Sequence, residues 1–114
     1  MYRRYQFRLP VPVTEDRGDA EGQLLGFAKN ISAGGLFISA KDPPAVGSVF
    51  KLKFKLPGGE TTVACQGEVV WRRERDPYSA YDSGMGVRFV NLDYRFQAVI
   101  DSFVREKGGR NAAK

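Results

Sequence analysis

Apolar residues recur at every second position along most of this 114-residue chain, and only near its end does the spacing change. Tyr5, Phe7, Leu9, Val11 and Val13 alternate with Arg4, Gln6, Arg8, Pro10 and Pro12. Successive side chains of a strand leave opposite faces, so a period of two predicts a strand with one face buried. Pro10 and Pro12 lie two apart, which puts their missing N–H groups on the same edge and predicts an edge position or an open seam. Residues 23–31 read as a strand of mixed parity, because Leu24, Leu25, Phe27 and Ile31 do not share a face, and a bulge or twist is expected there. A turn at Ser32-Ala33-Gly34-Gly35 leads into a short strand over 36–40. Phe50, Leu52, Phe54 and Leu56 alternate with Lys51, Lys53 and Lys55 in the clearest strand of the chain. Val63, Cys65, Gly67, Val69 and Trp71 are predicted to line the inner face of a long strand bent at Gly67. Met85, Val87 and Phe89 share one face of a last strand over 84–90.

Charged and turn-forming residues separate these segments. Residues 15–22 read as a loop, Pro57-Gly58-Gly59-Glu60 as a turn, and 72–83 as a polar, mobile connection. Phe96, Val99, Ile100, Phe103 and Val104 then fall at i, i+3, i+4, i+7 and i+8, the spacing of an amphipathic helix. Asp93 is its expected N-cap, Gly108-Gly109 its expected stop, and the last residues should fray. The predicted class is all-β: a six-stranded antiparallel barrel of split type, with a C-terminal α-helix covering one opening or side. Closure is expected because it removes exposed strand edges. One domain is expected over 1–107, with a flexible tail over 108–114.

Composition narrows the chemistry. There is no histidine, which removes imidazole general bases, Ser-His-Asp and Cys-His pairs, and most zinc sites. The single cysteine, Cys65, excludes an internal disulfide or a cysteine metal cluster and reads as a small core residue. The acidic pairs Glu15-Asp16 and Glu74/Asp76 fall in polar loops, so no enzyme is expected, and neither a metal nor a cofactor. Eighteen Lys and Arg against thirteen Asp and Glu give a net charge of +5, which suits an anionic partner. No apolar run approaches a membrane span, and no apolar stretch follows the basic N-terminus, so a cytoplasmic location without membrane insertion is expected.

Two polar constellations stand out. Arg3, Arg4 and Arg8 concentrate charge at the start of the chain, and each guanidinium can grip a phosphate or the O6/N7 edge of guanine through two bonds. Arg4 and Arg8 are about 13 Å apart on an extended strand. In Asn30-Ile31-Ser32-Ala33-Gly34-Gly35, Asn30 and Ser32 share a face, and the glycines permit positive φ and close approach of a flat ligand. Each feature alone reads equally as a solvated basic terminus or an ordinary turn.

Together, R-x-x-x-R at Arg4 and Arg8, N-x-S-x-x-G from Asn30 to Gly35, Gly67-Glu68-Val69-Val70-Trp71, Gly84-Met85-Gly86-Val87-Arg88-Phe89 and the closing helix resemble the PilZ domain family. These are bacterial receptors for cyclic di-GMP, and the resemblance runs from Arg3 to about Val104. It implies that Arg4 and Arg8 hold guanine edges and phosphates, that Asn30 and Ser32 bond a guanine edge, and that Gly35 keeps the strand start open. Arg3 is implied to contact a second ligand molecule, and Gly34, Gly86 and Arg88 are expected at the barrel rim. Asn30 stands where Asp is commoner, which replaces a charged acceptor by a neutral amide.

The implied function is that of a stand-alone cyclic di-GMP receptor or adaptor, passing its signal to an unidentified effector protein in motility, biofilm or a related output. Residues 1–7 have few packing partners in sequence, so they are expected to be mobile until the ligand orders them. Two other readings stand beside this one. A nucleic-acid-binding barrel would expose aromatics on a sheet face, whereas Phe50, Phe54, Trp71 and Phe89 share parity with aliphatic residues and are expected in the core, which disfavours nucleic acid. A PilZ-like adaptor that no longer binds ligand would not need both arginines, Asn30, Ser32 and Gly35.

Overall fold

The computed structural model describes residues 4–16, 22–79 and 81–112. Six strands precede one helix: β1 (Arg4–Glu15), β2 (Leu24–Ser32), β3 (Gly35–Ser39), β4 (Val49–Lys55), β5 (Thr62–Arg73), β6 (Gly84–Val90) and α1 (Tyr94–Ala112). The strands close into an antiparallel barrel in the order β1-β2-β3-β6-β5-β4, so the predicted architecture is the observed one.

The alternating residues build the core. Val13, Ile31, Ile38, Leu52, Val63, Val69, Met85 and Ile100 are fully buried, the last from α1. Removing a side chain of this size from water stabilises the fold by about 1.5–3 kcal/mol each. Phe54 and Phe89 stack 6.2 Å apart across the interior. Gly67 serves this packing: a Cβ there would come within 2.7 Å of Leu52 and Val87 side-chain atoms. The helix lies over the start of β1, where Phe103 meets Tyr5 edge-on at 5.2 Å and Phe7 at 6.1 Å. Its entry is capped as expected, with the Arg95 amide donating to Asp93 Oδ1 at 2.8 Å.

β1 and β4 are paired only at Thr14 with Lys53 and Glu15 with Leu52. Continuing that register would set Pro12 opposite Lys55, where Pro12 has no N–H to donate. The two prolines thus leave a thin seam in an otherwise continuous ladder. The mixed parity of β2 also has its counterpart, a register shift against β3 between Ala28 and Asn30.

Several expectations need correction. Leu9 does not share the inner face of β1 but is 80 % exposed. Between Gln6 and Val11 the strand advances five positions while β2 advances two, from Asn30 to Ala28, and the extra residues bulge outward. Residues 4–7 are not without packing, since Tyr5 and Phe7 sit against Phe103. Gly34 and Gly35 are not among the glycines with positive φ, which are Gly26, Gly47 and Gly58. The helix does not stop at Gly108-Gly109 but runs through them to Ala112. Glycine costs a helix about 1 kcal/mol relative to alanine without forbidding it, and nothing compels the left-handed residue that would end it. Among the described residues no helix is long and apolar enough to cross a membrane.

Candidate functional site

Strand register brings the polar residues of the sequence into two parallel rows on the outside of the barrel. In the first, Arg4 stands opposite Ser32, Ser32 opposite Gly35, and Gly35 opposite Arg88. In the second, Gln6 stands opposite Asn30, Asn30 opposite Phe37, Phe37 opposite Gly86, and Gly86 opposite Trp71. All nine residues line one cavity of about 770 Å³. Residues 26 positions apart in sequence meet here: Arg4 Nη1 donates to Asn30 Oδ1 at 2.6 Å. Ser32 is buried, and its Oγ accepts from the Gly34 amide at 3.3 Å, which holds the tip of the β2–β3 turn.

The floor of the cavity consists of small residues for a packing reason. A Cβ on Gly35 would lie 2.0 Å from the Val87 carbonyl oxygen, so only glycine lets β3 approach β6 at this point. A Cβ on Gly86 would lie 2.1 Å from Trp71 Nε1, because the indole rests directly on that glycine.

The far wall is aromatic and cationic. Phe37 and Trp71 stack with centroids 5.4 Å apart and planes 13° from parallel. The Arg73 guanidinium lies over Trp71 at 5.3 Å, Phe37 at 5.7 Å and Tyr81 at 4.9 Å, and Nη1 donates to the Asp82 carbonyl at 3.1 Å. Lys29 pairs with Asp82 at 3.2 Å and ties the loop to β2. Trp71 was expected in the core with Val69; it is instead 42 % exposed. Val69 stands opposite Val87 but Trp71 opposite Gly86, so Val70 is one residue too many and the parity flips. The adjacent apolar pair Val69-Val70 was the available signal. Nothing in the sequence pointed to Phe37, Arg73, Tyr81 or Lys29.

Of the residues singled out in the sequence, the structure gathers Arg4, Asn30, Ser32, Gly34, Gly35, Gly86 and Arg88 around the cavity. Arg8 does not line it, because it lies on the outward bulge of β1 and is exposed. Arg3 lies outside the described residues. Arg4, Lys29, Arg73 and Arg88 border the cavity with Asp82 as the one carboxylate among the described lining residues, a field that favours an anion. Among the described residues no group of three or more His, Cys, Asp or Glu side chains is placed to hold a metal. Cys65 is absent from the cavity wall, and burial pushes its thiol up to about 11, which leaves it protonated and unreactive near neutrality.

A barrel of this topology with an amide-hydroxyl-glycine corner facing arginines defines a small nucleotide-binding receptor class. The PilZ domain family model matches residues 2–106, and the chain belongs to that family. No curated protein matches the chain. Among solved structures it is similar to the Bacillus subtilis inhibitor of motility, MotI/DgrA, with a TM-score of 0.75 and 19 % identity, covering all of this chain and 52 % of that one. It is similar to Escherichia coli YcgR in complex with cyclic di-GMP, with a TM-score of 0.71 and 16 % identity, over 98 % of this chain and 48 % of that one. The PilZ domain of YcgR with cyclic di-GMP, taken alone, matches with a TM-score of 0.68 and 14 % identity over 97 % and 92 %. The chain thus spans about half the length of the first two, and the likeness at these identities is one of fold.

Proposed function

We propose that this chain binds cyclic di-GMP in the cavity between Arg4 and Trp71 and passes the signal to a protein partner. The observation that carries this reading is the Arg4–Asn30 contact, which joins the two sequence constellations at one wall of an anion-favouring cavity. The ligand has two phosphates and two guanines, so it needs cationic forks, an edge reader and flat contact surface. It needs no base, nucleophile or metal, and we read the domain as a receptor and not a catalyst.

Each requirement has a residue. Arg4 offers a planar fork of donors to a phosphate or to guanine O6/N7. Asn30 holds Arg4 with one lone pair of Oδ1, leaving a second lone pair and the Nδ2 donors side by side. That pair matches the N1–H donor and O6 acceptor of a guanine edge, so a neutral amide reads the base without the charge of an aspartate. Ser32 and the Gly34–Gly35 backbone give a floor low enough for a flat ring. The Phe37–Trp71 stack supplies an aromatic face for a purine.

Ordering by ligand is then narrower than the sequence suggested. Arg4 to Phe7 are already docked, on Asn30 and on α1, so the segment left to respond is the bulge carrying Arg8, Leu9 and Pro10. An anion seated at Arg4 attracts Arg8, and moving that bulge repositions the exposed Leu9 as a surface for the effector protein. The test is calorimetric titration with cyclic di-GMP, using GTP and cyclic GMP as controls. Saturable binding of cyclic di-GMP alone supports the reading; no binding, or equal binding of all three, removes it.

A further inference from the structure

Arg88 stands three strands away from Arg4 in the same row, with Ser32 and Gly35 between them. Three strand spacings put the two backbones about 14 Å apart, and both side chains border the cavity. The intervening residues are small, so the two guanidinium groups face each other across a low floor. Arg4 is held by a neutral amide. Arg88 is held differently: Nη2 donates to Glu68 Oε1, its cross-strand neighbour on β5. Glu68 itself is not part of the cavity wall.

We infer that Arg88 is a second anion seat of this cavity, and that Glu68 is a built-in competitor that occupies it until a ligand phosphate takes its place. This rests on the reading of the cavity as a dinucleotide site and adds how its affinity is set. The chemistry is an exchange of one anionic partner of Arg88 for another. The carboxylate bonds the guanidinium as a phosphate would, so a phosphate arriving at Arg88 must displace or share that bond. The exchange is feasible because the pair is only partly shielded, with Arg88 57 % and Glu68 31 % exposed. Exposed ion pairs contribute little, so Glu68 lowers affinity by a modest factor and does not close the site. Arg4, with no charged partner among the described residues, is the primary seat.

The experiment is a double-mutant cycle in the full chain, read by calorimetric titration of cyclic di-GMP, with melting curves to show that all variants fold. Glu68→Gln keeps the size of the side chain and removes its charge; we expect binding to tighten about two- to fivefold. Arg88→Ala should weaken binding about tenfold. In the Arg88→Ala background, Glu68→Gln should change nothing. If Glu68→Gln tightens binding equally with and without Arg88, the carboxylate acts only through the general field and the competition is refuted. If wild type binds and neither single variant differs from it, Arg88 is no seat at all. If wild type does not bind but Glu68→Gln does, the competition stands in a stronger form. If neither binds, the dinucleotide reading itself fails and this inference falls with it.

Discussion

The two walls of the cavity are built on opposite principles. On the β1–β2 side, Arg4, Asn30 and Ser32 are positioned by register and hydrogen bonds, and each offers directional donors or acceptors. On the β5–β6 side, Trp71, Phe37 and Arg73 are positioned by stacking over a buried glycine and offer area with little direction. The first wall can tell one base edge from another. The second can hold any flat ring. Specificity and contact area are thus separated in space, and each can be perturbed without the other.

The largest effect is expected where the walls meet. Gly35→Ala would force a Cβ against the Val87 carbonyl and push β3 from β6, with a loss of about 3 kcal/mol in unfolding free energy by denaturant titration. A near-neutral result would mean that the motif glycine serves the ligand instead of the barrel. Next is Arg4→Ala, which should weaken cyclic di-GMP binding by roughly 5- to 150-fold with little change in melting temperature. Equal loss of stability would show that the arginine belongs to the fold. Trp71→Ala should weaken binding by about tenfold while leaving the preference over GTP unchanged, since stacking is tolerant of base identity. A changed preference would erase the contrast between the walls. Trp71 is the only tryptophan, so its fluorescence should report ligand binding directly. The smallest effect lies outside both walls. The folded state holds the Cys65 proton longer than the unfolded chain does. The stability this confers is complete below the usual thiol value of 9.0 and is lost as pH rises toward about 11. The stability difference between wild type and Cys65→Ala should therefore shrink over that window.

The first wall was legible in the chain because its residues are polar types at even spacing on strands whose parity could be read. Asn30 and Ser32 needed only a period of two to share a face. Arg8 was misread for the same reason: counting by twos carried it along β1 with Arg4, and the bulge between Gln6 and Val11 broke the count. The same error in the other direction hid Trp71, which one extra residue at Val70 moved from the core to the cavity. A bulge leaves almost no mark on composition, yet it inverts the face of everything beyond it.

What the chain alone determined was the number and type of its elements, the inward face of most strands, the cap at Asp93 and the absence of imidazole chemistry. These follow from local periodicity and side-chain type, which act over a few residues. Only the tertiary structure decided which strands are neighbours, and hence that Arg4 shares a row with Arg88 and Asn30 with Trp71. Those distances depend on barrel closure and on register, and register is set by packing and hydrogen bonds between segments far apart in the chain.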